Sequence, residues 1–280
     1  MEILRSVAGL RQWARGTRSE GKTVGFVPTM GALHAGHASL IRAARESCGA
    51  VGVSIFVNPT QFGPNEDYAR YPRSFEADCA LAEAAGAAVV FAPSVEELYP
   101  AGATTFVEVT GLSDRLDGLS RPGHFRGVAT VVAKLLIASE ADKAFFGQKA
   151  AAQVAVLRRM VADLRLPAEL VVCPIVRESD GLALSSRNMY LSPEERARAL
   201  VLSRTVRRVE ALVAAGERGA KKLIEAGRQI FAAEPGVRID FIELVNWGTL
   251  EPVEVAAPGS LFAVAAWVGA TRLIDNTILA

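Results

Sequence analysis

The sequence predicts an α/β chain, a parallel sheet flanked by helices and followed by a smaller α+β part. Three observations carry this. Val24 to Val27 (VGFV) and Ala50 to Val57 (AVGVSIFV) are apolar runs suited to interior strands. A stretch of helical periodicity separates them, and such strand–helix–strand spacing favours a parallel pair with a right-handed crossover. Beyond Arg177 the order changes to long helices followed by strands, the pattern of an α+β unit. The reading gives one domain at 1–176 and a second at 177–280.

Composition narrows the function classes. A chain of 280 residues has room for a large core. Its net charge of +1 argues against a general nucleic-acid surface and leaves room for a local cationic pocket. Cys48, Cys79 and Cys173 are odd in number and widely spaced. They match no zinc pattern and read as buried small hydrophobes in a reducing compartment. Met1 to Ser19 carries charges throughout, so no signal peptide is read there. No run approaches the roughly 20 apolar residues of a membrane helix. The expectation is a cytoplasmic protein with no membrane and no nucleic-acid partner.

Taken in order, Ser6 to Arg18 reads as an amphipathic helix, and Val24 to Val27 as a strand ended by Pro28. Gly31 marks the turn, and a helix runs from Gly36 to about Cys48 with Leu40, Ile41 and Ala44 on one face. His34 and His37 stand three apart at its entrance and can point the same way. A helix N-terminus offers unpaired N–H groups to phosphate, and imidazoles beside it can add hydrogen bonds. Gly36 leaves room for a ligand ring. The alternatives are ordinary cap residues or half of a metal site. The strand Ala50 to Val57 runs into Asn58 and Gln61, beyond a carboxyl end where α/β sheets hold ligands. Amides there suit a small polar substrate; the alternative is a plain Asn-Pro turn.

Asp67 to Pro72 reads as an exposed loop, Ser74 as the cap of a helix to about Gly86, and Ala87 to Ala92 as a strand. Pro93 to Tyr99 reads as a short helix with a capping-box spacing at Ser94 and Glu97. Thr104 to Val109 reads as another strand, and Gly111 to Gly127 as irregular. Val128 to Ala138 is an apolar helix in which Lys134 snorkels or faces a ligand. The strand Lys143 to Phe146 ends in Gly147, Gln148 and Lys149. Lys149 is either a phosphate-neutralising point charge or a solvated surface lysine, with Gln153 one helical turn on. A helix from Val154 to Leu164 and a strand from Glu169 to Cys173 follow. In the polar loop Val176 to Asn188, Ser185, Ser186 and Arg187 offer hydroxyls and a planar cation that suit a polyphosphate. The alternative is a surface loop capping the next helix. Ser192-Pro193-Glu194-Glu195 is a strong helix start. Helices at Pro193 to Ala215 and Ala220 to Ala233 precede strands near Arg238 to Val245 and Ser260 to Val268.

Five stretches together are more specific than any one: PTMGALHAGH from Pro28, FVNPTQFG from Phe56, RPGHFRGV from Arg121, FFGQK from Phe145 and DGLALSSRN from Asp180. In this order and spacing the chain resembles the pantoate–β-alanine ligase family, part of the HxGH nucleotidyltransferases. The resemblance implies a Rossmann-like N-terminal domain, a C-terminal α+β lid and a homodimer. It implies that ATP, (R)-pantoate and β-alanine give pantothenate, AMP and diphosphate, with Mg²⁺ arriving mainly through the ATP phosphates.

Carried over by residue, the nucleotide loop is Met30, Gly31, Ala32, Leu33, His34, Ala35, Gly36 and His37. His37 matches the proton donor, and His34 its partner at the triphosphate. Gly147, Gln148, Lys149 and Ala150 match a second nucleotide segment, with Lys149 on phosphate. Val176 matches an adenine-side backbone contact, and Leu184, Ser185, Ser186 and Arg187 a second phosphate segment. Gln61 and Gln153 match the pair that holds pantoate. Pro28, Asn58 and His124 fall in the pantoate and β-alanine pocket, His124 at its mouth.

One departure stands out. The family pattern after the lysine is Asp, an aromatic and two glutamines; here it is Ala150, Ala151, Ala152 and Gln153. Losing a carboxylate near the ribose should cost about 1.5–3 kcal/mol of ATP binding, the worth of one charge-assisted hydrogen bond. The competing readings are another HxGH nucleotidyltransferase, acting on a phosphorylated cofactor precursor, and a nucleotide-binding protein whose catalysis Ala150 has weakened.

Overall fold

In the computed structural model, which describes residues 1–64 and 66–280, six parallel strands build the first sheet. They are β1 (Glu2–Leu4), β2 (Val24–Thr29), β3 (Ala50–Ile55), β4 (Val89–Phe91), β5 (Lys143–Gly147) and β6 (Glu169–Cys173). The order across the sheet is β1-β4-β3-β2-β5-β6, and every pairing is parallel. From β2 the chain builds outward to β3 and β4 on one side, then returns to place β5 and β6 on the other. The reversal lies between β2 and β5, where an open α/β sheet leaves a crevice at the carboxyl ends of its strands. Val24, Phe26 and Val27 are wholly buried, as expected of an interior parallel strand covered on both faces.

Helices α1 (Val7–Ser19), α2 (Ala35–Ser47), α3 (Phe75–Ala85), α4 (Val95–Leu98), α5 (Asp117–Ser120), α6 (His124–Ser139) and α7 (Ala151–Asp163) follow in chain order. The apolar stripe of α2, with Leu40, Ile41 and Ala44, packs in one cluster with Val27, Val51, Val53, Ala82 and Phe145.

Four expectations need correction. Pro28 does not end β2, because it pairs in register with Ser54 and the strand continues to Thr29. Thr29 turns its N–H and C=O toward β3, to Ser54 Oγ and the Phe56 N–H, so Pro28 faces the other neighbour. The ladder to β5 has already ended at Phe26, so the missing proline N–H costs no bond there. Thr104 to Val109 is not a strand; the Val107 N–H donates to Thr130 Oγ1 of α6 at 2.9 Å instead of to a ladder. The apolar helix begins at His124, inside the stretch expected to be irregular. Cys48 and Cys173 are buried free thiols as expected, whereas Cys79 is only partly buried.

By internal contacts the chain forms two units, Met1–Gly147 with Val156–Pro174, and Gln148–Ala155 with Ile175–Ala280. In the second, α8 (Pro193–Ala214) and α9 (Ala220–Ala232) join an antiparallel sheet of β7 (Val237–Asn246), β8 (Ser260–Val268) and β9 (Thr271–Ile278). Ser192 and Glu195 form the capping box that starts α8. Leu202, Val209, Leu223, Ile242 and Phe262 belong to its core. The last strand, β9, was not foreseen. It carries Asp275 and Asn276 at 2% and 3% exposure, and these polar residues hide its strand pattern.

One close approach positions the site in the first unit. A Cβ added at Gly127 of α6 would lie 2.3 Å from the Thr60 carbonyl oxygen and 2.7 Å from Gln61 Cα. Backbone atoms cannot swing aside, so Gly127→Ala is expected to destabilise the chain by about 1–3 kcal/mol, as overpacking does. Denaturant unfolding of the variant checks this; an unchanged midpoint would contradict the tight packing of α6 on residues 60 and 61.

Candidate active site

At the carboxyl end of β2 the chain must turn sharply from strand to helix. Gly31 (φ 82°) and Ala32 (φ 49°) make the turn in the left-handed region. Thr29 Oγ1 accepts the Gly31 N–H at 3.2 Å, and Asp78 of α3 accepts the N–H groups of Ala32 and Leu33 at 2.9 and 2.8 Å. His34 then caps α2. Its Nδ1 accepts the Gly36 N–H at 3.1 Å, while His37 Nδ1 accepts the His34 N–H at 3.3 Å. This is a capping box built from two imidazoles, whose ring centroids lie 4.1 Å apart.

The box fixes chemistry as well as geometry. A ring nitrogen that accepts an N–H carries no proton, so in the neutral rings the proton sits on Nε2. The hydrogen-bond pattern thus assigns His34 and His37 as Nε2–H donors. It also revises the expectation of unpaired N–H groups at the helix entrance. The N–H groups of Gly36, His37 and Ala38 are taken by His34 Nδ1 and the His34 carbonyl.

Beyond β3, Asn58 and Gln61 sit on a tight helical turn, 1% and 8% exposed. Their amide orientations form a chain. The Gly127 carbonyl accepts from Asn58 Nδ2 at 3.1 Å, so Asn58 Oδ1 faces the other way. There it accepts from Thr60 Oγ1 at 3.0 Å and from the Tyr99 hydroxyl at 2.9 Å. Asn58 Nδ2 also donates to Gln61 Oε1 at 3.1 Å, leaving Gln61 to present its NH₂ toward Met30 Sδ at 2.9 Å. Burial raises the Tyr99 hydroxyl pKa, which keeps it a donor. Lys134 turns its ammonium to the Leu98 carbonyl at 2.8 Å, beside the Tyr99 ring.

His124 is placed behind Gln61. Arginine can only donate, so Arg121 Nη1 donates a hydrogen bond to His124 Nε2 at 2.9 Å, and His124 Nδ1–H donates to the Gln61 carbonyl at 2.8 Å. Arg121 is held in turn by a bidentate pair with Glu66, at 2.7 and 2.6 Å. Burial, then the Arg121 charge, push the His124 pKa down to about 4, so it works as a neutral ring.

Gly147 ends β5 in the first unit, and the predicted residues from Gln148 to Gln153 and from Val176 to Arg187 lie in the second. Gln148, Lys149 and Ala150 form a single tight turn after β5, and α7 then carries Gln153 in its first turn. Asn276 of β9 donates to the carbonyls of Gln148 and Lys149 at 3.1 and 2.9 Å. Within the polar loop 176–188 the chain doubles back as a small hairpin: Arg177 bridges Ala183, and the Leu184 N–H donates to the Val176 carbonyl at 3.0 Å. Ser185 caps the short helical turn Ser186–Tyr190, which carries Arg187. The hairpin is anchored by Arg177, whose two nitrogens meet buried Asp275 at 2.6 and 2.9 Å.

Among the described residues, no group of three or more His, Cys, Asp or Glu is arranged to hold a metal ion. No helix among them is long and apolar enough to cross a membrane. Sequence reasoning missed Asp78, Tyr99, Glu66 and Arg121, each of which has a partner distant in sequence: Ala32, Asn58, Arg121 and Glu66 in turn.

Comparison with known proteins gives these features a family. The model of the family described as pantoate-beta-alanine ligase matches residues 2–278. A pantothenate synthetase of Acidobacterium capsulatum is 64% identical over 264 residues, covering 94% of this chain and 87% of the relative. One from Koribacter versatilis is 57% identical over 279 residues, covering 100% of this chain and 96% of its own. A pantothenate synthetase structure from Thermus thermophilus superposes with a TM-score of 0.94 at 46% identity, covering 99% of both chains. A Francisella tularensis pantoate-beta-alanine ligase, complexed with beta-gamma ATP and β-alanine, superposes with a TM-score of 0.81 at 32% identity, covering 99% of this chain and 97% of that one. The HxGH capping box and the oriented Asn58–Gln61 pair thus stand in a chain that belongs to the pantoate–β-alanine ligase family.

Proposed function

We propose that this pantoate–β-alanine ligase joins its substrates through a pantoyl-adenylate formed from MgATP. The observation that carries the reading is the pair of imidazoles whose Nδ1 atoms are spent on the cap, which leaves Nε2–H as the donor of each ring. In the first step an oxygen of the pantoate carboxylate attacks the α-phosphorus of ATP. The bond from that phosphorus to the bridging oxygen breaks, and diphosphate leaves with its electron pair. In the second step the β-alanine amine attacks the acyl carbon and loses a proton, and AMP departs.

Two anions must meet in the first step, so the barrier is electrostatic. His34 and His37 are the proposed donors to the triphosphate, with Lys149 and Arg187 adding cationic charge. Mg²⁺ enters with the nucleotide as part of the substrate. Donors fixed in advance avoid reorganisation during the reaction, and removing one costs about 10²–10³ in rate. Met30 to His37, Gly147 to Ala150, Val176 and Leu184 to Arg187 are the proposed nucleotide segments. The Gln61 NH₂ suits an acceptor oxygen of pantoate, and Gln153 is proposed as its partner. Pro28 and Asn58 complete that pocket, Asn58 by orienting Gln61. Residues 177–280 are proposed as a lid, since water would hydrolyse the mixed anhydride. The Francisella tularensis complex supports ATP and β-alanine as ligands. A cytoplasmic homodimer completes the proposal; the free thiols suit a reducing compartment.

A second reading, nucleotide binding with weakened catalysis, rests on Ala150, which offers no side-chain acceptor to a ribose. One assay separates the readings. The protein is incubated with ATP, Mg²⁺ and pantoate, with and without β-alanine, while AMP and diphosphate are followed. Steady AMP release only with β-alanine is expected. AMP retained in a dinucleotide product would mean another nucleotidyltransferase, and ATP binding without turnover would favour the weakened binder.

The His124 contacts give a pH prediction. Its folded pKa of about 4 lies below the ordinary 6.5, so between these values the unfolded chain binds a proton that the native chain refuses. The stability this contributes is complete above pH 6.5 and is lost as pH falls toward 4. Unfolding free energies measured across that range should show an acid slope that His124→Ala flattens. The same variant should raise KM for pantoate by loosening Gln61. An equal slope in both proteins, or an unchanged KM, would contradict the placement of His124.

A further inference from the structure

We infer that Asp78 is a positioning residue of the nucleotide loop, setting the proton-bearing face of the His34–His37 pair without touching substrate. Three observations on the fold support it. Asp78 is 2% exposed, and its carboxylate reaches from α3 to a loop more than forty positions earlier in the chain. Its two oxygens divide the work: Oδ2 accepts from Ala32 at 2.9 Å and Oδ1 from Leu33 at 2.8 Å. Ser74 makes no capping bond to α3 and instead donates its hydroxyl to Asp78 Oδ1 at 3.0 Å, fixing the rotamer.

The loop needs such a clamp. Ala32 holds a left-handed φ of 49°, which side chains with a Cβ avoid unless the surroundings enforce it. Gly31 admits the carboxylate because it lacks a side chain; a Cβ there would lie 2.9 Å from Asp78 Oδ2. The residue after Leu33 is His34, whose backbone N–H must point at His37 Nδ1 for the reciprocal cap to form. Turning the N–H groups of Ala32 and Leu33 inward to Asp78 therefore does two things. It removes them as phosphate donors, and it aims the following residue into the cap. A carboxylate beneath an anion-binding loop is tolerable because two N–H dipoles and a hydroxyl converge on it.

The inference rests on His34 and His37 as the phosphate donors proposed above, but its geometric content is tested without nucleotide. The chain has three histidines, so the imidazole nitrogens of ¹⁵N-labelled protein can be assigned by single substitution in long-range proton–nitrogen spectra. In the native chain His34 and His37 should show the Nε2–H tautomer and His124 the Nδ1–H tautomer. Asp78→Asn preserves the volume but turns an N–H donor toward a loop that needs acceptors. In it, His34 and His37 should lose their single tautomer while His124 keeps its own. The ratio kcat/KM for ATP should fall about 10²-fold, as for an active-site group displaced by an ångström, with KM for β-alanine held.

Native tautomers at His34 and His37 in this variant, whatever its rate, overturn the inference. If His124 also changes, the substitution has disturbed the whole unit, and Ser74→Ala decides. That variant removes only the hydroxyl, and a smaller fall in kcat/KM for ATP with His124 intact supports the inference, whereas no fall overturns it. Native protein with the stated tautomers but no pantoate-dependent use of ATP would instead refute the functional reading and leave the clamp standing.

Discussion

The first turn of α2 has no serine, threonine, aspartate or asparagine to close it, and two imidazoles close it instead. His34 takes the Gly36 N–H, and His37 takes the N–H of His34. Every helix must find partners for its first N–H groups, so this demand is structural before it is catalytic. Because the partners are imidazole nitrogens, meeting the demand also settles the tautomer of each ring. One pair of bonds thus caps a helix and sets which nitrogen of each ring carries the proton. Residues 29–33 and Asp78 set the path of the chain into that cap.

The sheet supplies the second constraint. With β2 at the point where strand order reverses, the loop carrying the histidines opens over the crevice, and β3 beside it delivers Asn58 and Gln61. Those two amides could each be turned either way, and the backbone carbonyl of Gly127 chooses. The choice passes through Asn58 to Gln61, so a helix–turn packing contact decides which end of the Gln61 amide is turned toward Met30. Tyr99 and the Glu66–Arg121–His124 set hold the same turn from its other sides.

Much of this was legible before any coordinates. The interior strands and the amphipathic helices announce themselves by apolar runs, periodicity and cap residues, and the HxGH stretch with the four other motifs announces the family. What stayed hidden has physical causes. The three residues of β1, Glu-Ile-Leu, are too few to show a period. In β9, Asp275 and Asn276 break the apolar pattern, and the buried carboxylate is made acceptable by the distant Arg177 together with the Asn276 N–H. Thr104 to Val109 has a strand's composition, yet Thr130 satisfies the backbone there. Pro28 reads as a stop and is not one, because its blank side falls beyond the end of the β5 ladder. Asp78 reads as a first-turn acid of α3, and its role depends on a loop that the sequence cannot place beside it.

The central claim is that the carboxylate of pantoate, and not water, attacks the α-phosphorus of ATP at the imidazole pair. The most direct measurement uses pantoate labelled with oxygen-18 in its carboxylate, followed by mass analysis of the AMP released in the complete reaction. The account predicts that each AMP carries one labelled oxygen, transferred when the mixed anhydride opens at its acyl carbon. AMP free of label, with the displaced carboxylate oxygen found in diphosphate, phosphate or water instead, would contradict it.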